Sequence, residues 1–201
     1  MKTLFATLFL FLLSFSAFAM DEMTIYELLD PTSHKFAIQY DVSATEPGSK
    51  AFFNIIRPGS EASNEKVIDR ATGKELPYEM SNGKEAKAAG QADKETSDET
   101  KFIKVPLPHP VPQEGEYRLR IFKTYLDPKS YFVENNLLIF DRSLGVKRNI
   151  VILPAGYELI GCTVPAIVSQ DSDGRIRVSM VNDRDDELGM RITARKIKNK
   201  K

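Results

Sequence analysis

Two histidines, one cysteine and two short acidic runs are the groups in this chain with the most obvious chemical potential. A histidine acting as general base needs a nucleophile within reach and a third group to orient it. His34 heads a strand-like segment, and His109 lies in Pro106-Leu-Pro-His-Pro-Val-Pro112, whose prolines favour an extended loop. The two are in separate segments, so no His-Glu-x-x-His metal-ligand pair exists. No Gly-x-Ser-x-Gly elbow occurs, and Cys162 sits in the apolar run ELIGCTVPAIV without the flanking signature of a cysteine nucleophile. It reads as a small buried hydrophobe, and a single thiol provides no internal disulfide. The first acidic run, Asp171-Ser-Asp-Gly174, lacks the downstream Glu of an EF-hand and reads as a hairpin turn. The second, Asp183 to Glu187, could likewise suggest calcium, which needs six or more oxygens to converge. With 28 acidic residues, a pair of carboxylates suited to glycoside hydrolysis is guaranteed by chance and carries no information.

The stretch richest in recognition chemistry is Thr124 to Val133, together with the strand end after Phe140. A ligand- or partner-facing surface built here would use Tyr125, Asp127, Lys129, Tyr131, Arg142 and Arg148. The competing reading is architectural. Asp127-Pro128 and Asp141-Arg142 place polar side chains at strand ends, where they brace corners through bonds to the backbone. With Phe132 beside them, Tyr125 and Tyr131 also offer a stacking surface for sugar, although the chain has no Trp.

These residues must be positioned by strands. Phe36, Ile38, Tyr40 and Val42 alternate with Lys35, Gln39 and Asp41, the period of a half-buried strand. Tyr117, Leu119 and Ile121 alternate with Arg118, Arg120 and Phe122 in the same way. Further strands are expected at Arg175–Val181 and Met190–Ile197, with less regular apolar runs at 50–56, 102–107, 137–140, 149–153 and 157–161. Turn residues separate them. The expectation is an all-β fold: an antiparallel β-sandwich of roughly ten short strands, with a barrel as the alternative. Residues 81–100, SNGKEAKAAGQADKETSDET, have almost no large apolar side chains. Lys84 to Ala89 have helical character, and the whole segment reads as one long, charged, mobile insertion.

The run RLRIFKTYLDPKSYF, followed by FDRSLGVKRNIVILPAGYEL, resembles a stretch of uncharacterised exported bacterial β-sandwich proteins. That likeness covers Arg118 to Ile160, and the pattern is also loosely similar to the N-terminal β-sandwich of M1-family aminopeptidases. The resemblance implies a sandwich fold and an accessory role. The catalytic domain of that family, with its zinc motif, is absent from the sequence, so no peptidase residue carries over.

The start of the chain adds an address. Lys2, the apolar run from Leu4 to Phe18 and Ala17-Phe-Ala19 form the three parts of a cleavable secretory signal, residues 1–19. The expected mature form is one domain, residues 20–201, beginning at Met20, without a later transmembrane segment and located in the periplasm or outside a bacterial cell. No Asn-x-Ser/Thr sequon occurs. The 28 basic and 28 acidic residues balance, which disfavours nucleic acid as a partner because counterion release needs a net basic face. The basic tail 195–201 reads as a solvated end. No metal or cofactor is expected. The leading expectation is an exported, non-catalytic binding or accessory protein recognising another macromolecule, with protein favoured over carbohydrate as that partner. The alternatives are a small secreted hydrolase and a carbohydrate-binding module using the tyrosine-rich loop.

Overall fold

The computed structural model describes residues 22–198. The signal segment and the Met20 start therefore lie outside the described residues, as do the last three positions of the basic tail.

Chain order begins with β1 (Met23–Leu28), β2 (Lys35–Ala44), β3 (Ala51–Ile55), β4 (Glu61–Asp69) and β5 (Glu75–Leu76). Next come β6 (Glu79–Asn82), a short helix α1 (Gly83–Ala88), β7 (Lys101–Pro106), β8 (Tyr117–Leu126) and β9 (Tyr131–Glu134). The remainder is β10 (Leu137–Leu144), β11 (Arg148–Ile152), β12 (Tyr157–Cys162), β13 (Ile167–Gln170), β14 (Ile176–Val181) and β15 (Leu188–Lys196).

The strands form three sheets. The largest has the order β13-β14-β11-β1-β2-β8-β4-β5, the second β12-β15-β10-β9 and the third β3-β7-β6. The all-β sandwich expected from alternation is present, with more strands than expected because weakly patterned runs such as β9 and β13 also pair. One pairing departs from the antiparallel rule: β1 lies parallel to β11, with Ile25 opposite Ile150. β10 belongs to the second sheet and β11 to the first, so the chain changes layers between them. Such a crossing makes a parallel neighbour possible where a tight hairpin cannot.

Period-two burial explains the core. Phe36, Ile38, Leu119, Ile121 and Val151 from the large sheet meet Leu138, Phe140, Met190 and Ile192 from the second. Ile103 and Val105 of β7 join the same cluster. Phe36 is its aromatic centre, edge-on to Phe140 at 5.2 Å and Tyr125 at 6.0 Å between ring centroids. The β9–β10 connection is a two-residue turn, Asn135-Asn136, with both φ angles positive. Asparagine tolerates that left-handed backbone, and the resulting turn matches strand twist.

Residues 81–100 carry structure of their own. Asn82 caps α1 by accepting from the Glu85 amide at 3.0 Å. Ala86 is fully buried in a small cluster with Phe53 and Phe102. Gln91 accepts from the Phe53 amide and donates to Ser49 and the Ala51 carbonyl, tying the segment to β3. The helical character read at 84–89 corresponds to α1. The segment is anchored through small and polar residues, Ala86 and Gln91, which composition alone does not mark as buried.

Candidate functional site

Alternation places two cations where apolar side chains are expected. On β8 the inward series is Tyr117, Leu119, Ile121, Lys123 and Tyr125; on β10 it is Leu138, Phe140, Arg142 and Leu144. Lys123 is 6% exposed and Arg142 8%. Because β8 and β10 belong to facing sheets, both cations project into the space between layers.

Arg142 is held by rings and one carboxylate. Its guanidinium carbon lies 5.3 Å from the Phe36 ring centre, 5.4 Å from Tyr125 and 5.5 Å from Tyr26. Its Nη1 donates to Asp127 at 3.4 Å, while its buried Nε has no hydrogen-bond partner among the described residues. Ring faces attract a desolvated cation, which helps explain how it sits so deep with one long ion pair.

Asp127 organises the β8–β9 corner. It accepts from Ser60 Oγ at 2.9 Å, Ser130 Oγ at 2.8 Å and the Ser130 amide at 3.0 Å. Burial works against its charge, but the bonds from Ser130 and Ser60 and the nearby Arg142 outweigh it and hold the carboxyl below its ordinary range. Tyr131 is fully buried and donates to the Leu29 carbonyl at 2.7 Å. The Tyr125 hydroxyl accepts from the Arg57 amide at 3.1 Å.

The six residues expected to serve recognition therefore do not form one surface. Tyr125, Asp127, Tyr131 and Arg142 are buried. Lys129 is exposed at the corner, and Arg148 is exposed at the start of β11, where its Nε donates to the Glu22 carbonyl at 3.2 Å. Asp127 and Tyr131 brace the corner, while Tyr125 and Arg142 lie in the layer between sheets, where they line a cavity. Of the two rings expected to stack sugar, Tyr131 is fully buried and offers no stacking face, while Tyr125 shows its ring only to the cavity between the layers. Asp171-Ser-Asp-Gly174 forms the β13–β14 turn, with Arg177 on Asp171 and Arg175 on Asp173 at 2.7 Å each. His34 Nδ1 lies 2.9 Å from the Tyr131 carbonyl, and His109 Nδ1 lies 3.1 Å from that of Pro110.

Lys123 is the residue that reading the sequence by residue type misses. Continuing the alternation of Leu119 and Ile121 by one step finds it. Its ammonium donates to Asn54 Oδ1 at 2.6 Å and the Ile55 carbonyl at 3.3 Å, and lies 5.0 Å from the Tyr125 ring centre. Burial, reinforced by the Arg142 charge and opposed by Glu65, pushes its pKa down to about 7. Lys123, Arg142, Tyr125, Tyr26 and Tyr40 line a cavity of about 450 Å³, with Arg57 among its other walls.

No protein-family model and no curated protein sequence matches the chain. Among solved structures it is similar to the M1 zinc metallopeptidase of Deinococcus radiodurans, with 10% identity and a TM-score of 0.51. That match covers 85% of this chain and 41% of the peptidase. A mutant of the same enzyme bound to a Tyr-Ser-Ala substrate gives 10% identity, a TM-score of 0.52 and the same coverage. An aminopeptidase N family protein of Idiomarina loihiensis matches at 10% identity over 86% of this chain and 29% of that one, with a TM-score of 0.46. The likeness is one of fold. The expected resemblance to M1-family aminopeptidases is thus met at that level, and the chain spans less than half the length of these peptidases.

A second surface feature lies at the far edge of the large sheet. β13 is an edge strand exposed along its whole length. Ile167 is 75% exposed, and Val181, on the neighbouring β14, is 65% exposed. Both line one shallow apolar depression with Pro165 and Leu188.

Proposed function

We propose that this chain is an exported, non-catalytic accessory β-sandwich that recognises another protein of the envelope or extracellular space. The observation that carries this reading is the bare β13 edge with Ile167, Val168 and Val181 exposed. Unpaired strand edges invite pairing and are ordinarily shielded by charge, bulges or cover, and clustered apolar exposure marks contact surfaces. The fold supports the reading too, because it corresponds to a minority portion of larger peptidases. Export rests on the leader read at residues 1–19.

The test is capture from a native envelope fraction with the mature chain, run beside an Ile167→Asp/Val181→Asp variant of unchanged melting temperature. A partner retained by the wild type and lost by the variant is expected. Equal capture by both, or none by either, would refute the edge as the recognition surface. Mass spectrometry of the exported form should find Met20 first; an intact leader in a membrane fraction refutes the localisation.

A further inference from the structure

Lys123 is a buried cation whose hydrogen-bond acceptors are both neutral, an amide oxygen and a backbone carbonyl. A buried charge without a counter-charge is costly and is characteristic of functional positions. Lys123 and Arg142 line one cavity with Arg57, for which no ion pair exists among the described residues. Against these three cations the cavity wall contributes one carboxylate, Glu187. Asp127 contacts Arg142 from the corner, Glu65 lies near Lys123, and Glu22 bonds Tyr40. The remaining wall is built from Tyr26, Tyr40, Tyr125 and aliphatic groups including Ile38 and Pro58. A volume of about 450 Å³ exceeds what an inorganic anion fills, and falls in the range of small-molecule pockets, roughly 300–1,000 Å³, with apolar walls and a few polar anchors.

We propose that this inter-sheet cavity binds a small organic carboxylate, its charged group set against Lys123 and Arg142, its apolar body against the tyrosine rings, and Arg57 guarding the rim. The carboxylate supplies the counter-charge Lys123 lacks. Binding therefore favours the ammonium form, and at pH 8 it draws a proton from solvent; at pH 6 Lys123 already carries that proton. The proton taken up at pH 8 but not at pH 6 is the one Lys123 has given up on burial.

The experiment is isothermal titration of the mature chain with benzoate, octanoate and inorganic phosphate, repeated at pH 6 and 8 in buffers of different ionisation enthalpy. Saturable binding of a carboxylate is expected, with proton uptake at pH 8 and little at pH 6. Lys123→Met should weaken it at least tenfold, and Arg57→Ala several-fold. The rim variant keeps the test valid should Lys123→Met fail to fold. Absence of saturable carboxylate binding, binding of phosphate alone, or equal affinity in wild type and Arg57→Ala each overturns the proposal. The Ile167→Asp/Val181→Asp variant should bind carboxylate normally, which separates this site from the docking edge.

Discussion

A cation at a core-facing strand position must find a counter-charge, be matched by ring faces or give up its proton. Arg142 takes the first two routes, with Asp127 at 3.4 Å and three aromatic rings around it. Lys123 is driven toward the third, its pKa pushed down to about 7 by burial and the Arg142 charge. Below that value the lysine is charged in folded and unfolded states alike, so the full burial penalty is felt; as pH rises toward the unfolded value near ~10.4 the penalty disappears. Wild-type stability should therefore gain on Lys123→Met by roughly 1–3 kcal/mol between pH 7 and 10, measured by denaturant unfolding. A flat difference would show that Lys123 is not protonated at a cost. Asp127 has the opposite sign. Its lowered folded pKa contributes stability above the unfolded carboxylate range that is lost as pH falls. Asp127→Asn should cost about 3 kcal/mol at pH 7, and the deficit should shrink below pH 4. This region is only partly legible in the sequence. Tyr125, Asp127, Tyr131 and Arg142 stand out by type, but type does not distinguish a binding surface from a brace. Phase does: the period of two that sends Ile121 inward also sends Lys123 and Tyr125, and Phe140 carries Arg142 with it.

At the scale of elements, strongly alternating strands such as β2 and β8 are legible because one face is apolar and the other polar. Short or fully exposed strands are not. β13 lacks any alternation because its four residues face solvent on both sides, and only pairing with β14 defines it. The 81–100 segment shows another limit, since its fixed points are small groups rather than large apolar ones. Gly83 is the tightest of these. A Cβ built there would lie 2.0 Å from the Ser97 carbonyl oxygen, so the helix start and the return loop touch through backbone. Limited proteolysis should cut first within 81–100, in the stretch after α1 that has little regular structure. Gly83→Ala should accelerate that cut several-fold while lowering overall stability by about 1–3 kcal/mol. An unchanged cleavage rate would mean that the Gly83–Ser97 contact does not hold the segment.

For the molecule as a whole, no helix among the described residues is long and apolar enough to cross a membrane, and organisation rests on how three sheets share a core. Leu119 and Ile121 of β8, Leu138 and Phe140 of β10, and Ile103 and Val105 of β7 belong to one continuous buried cluster. The sheets cannot separate without exposing it, and burial at about 25 cal/mol per Å² of apolar surface makes such exposure expensive. The third sheet also has a private cluster on its other face, where Phe53, Phe102 and Ala86 pack α1. Global and local unfolding therefore compete. The shared core favours a single cooperative transition, while the private cluster and the exposed loop beyond α1 favour early opening of β3, β6 and β7. Ile103 and Val105 are fully buried and reach the main core from the middle of that sheet, so the shared term should win. Calorimetry of the mature chain should show one transition with equal calorimetric and van't Hoff enthalpies. Phe102→Ala should lower its midpoint without splitting it. A separate low-temperature transition, sensitive to Phe102→Ala but not to Leu138→Ala, would show that the third sheet unfolds as an independent unit.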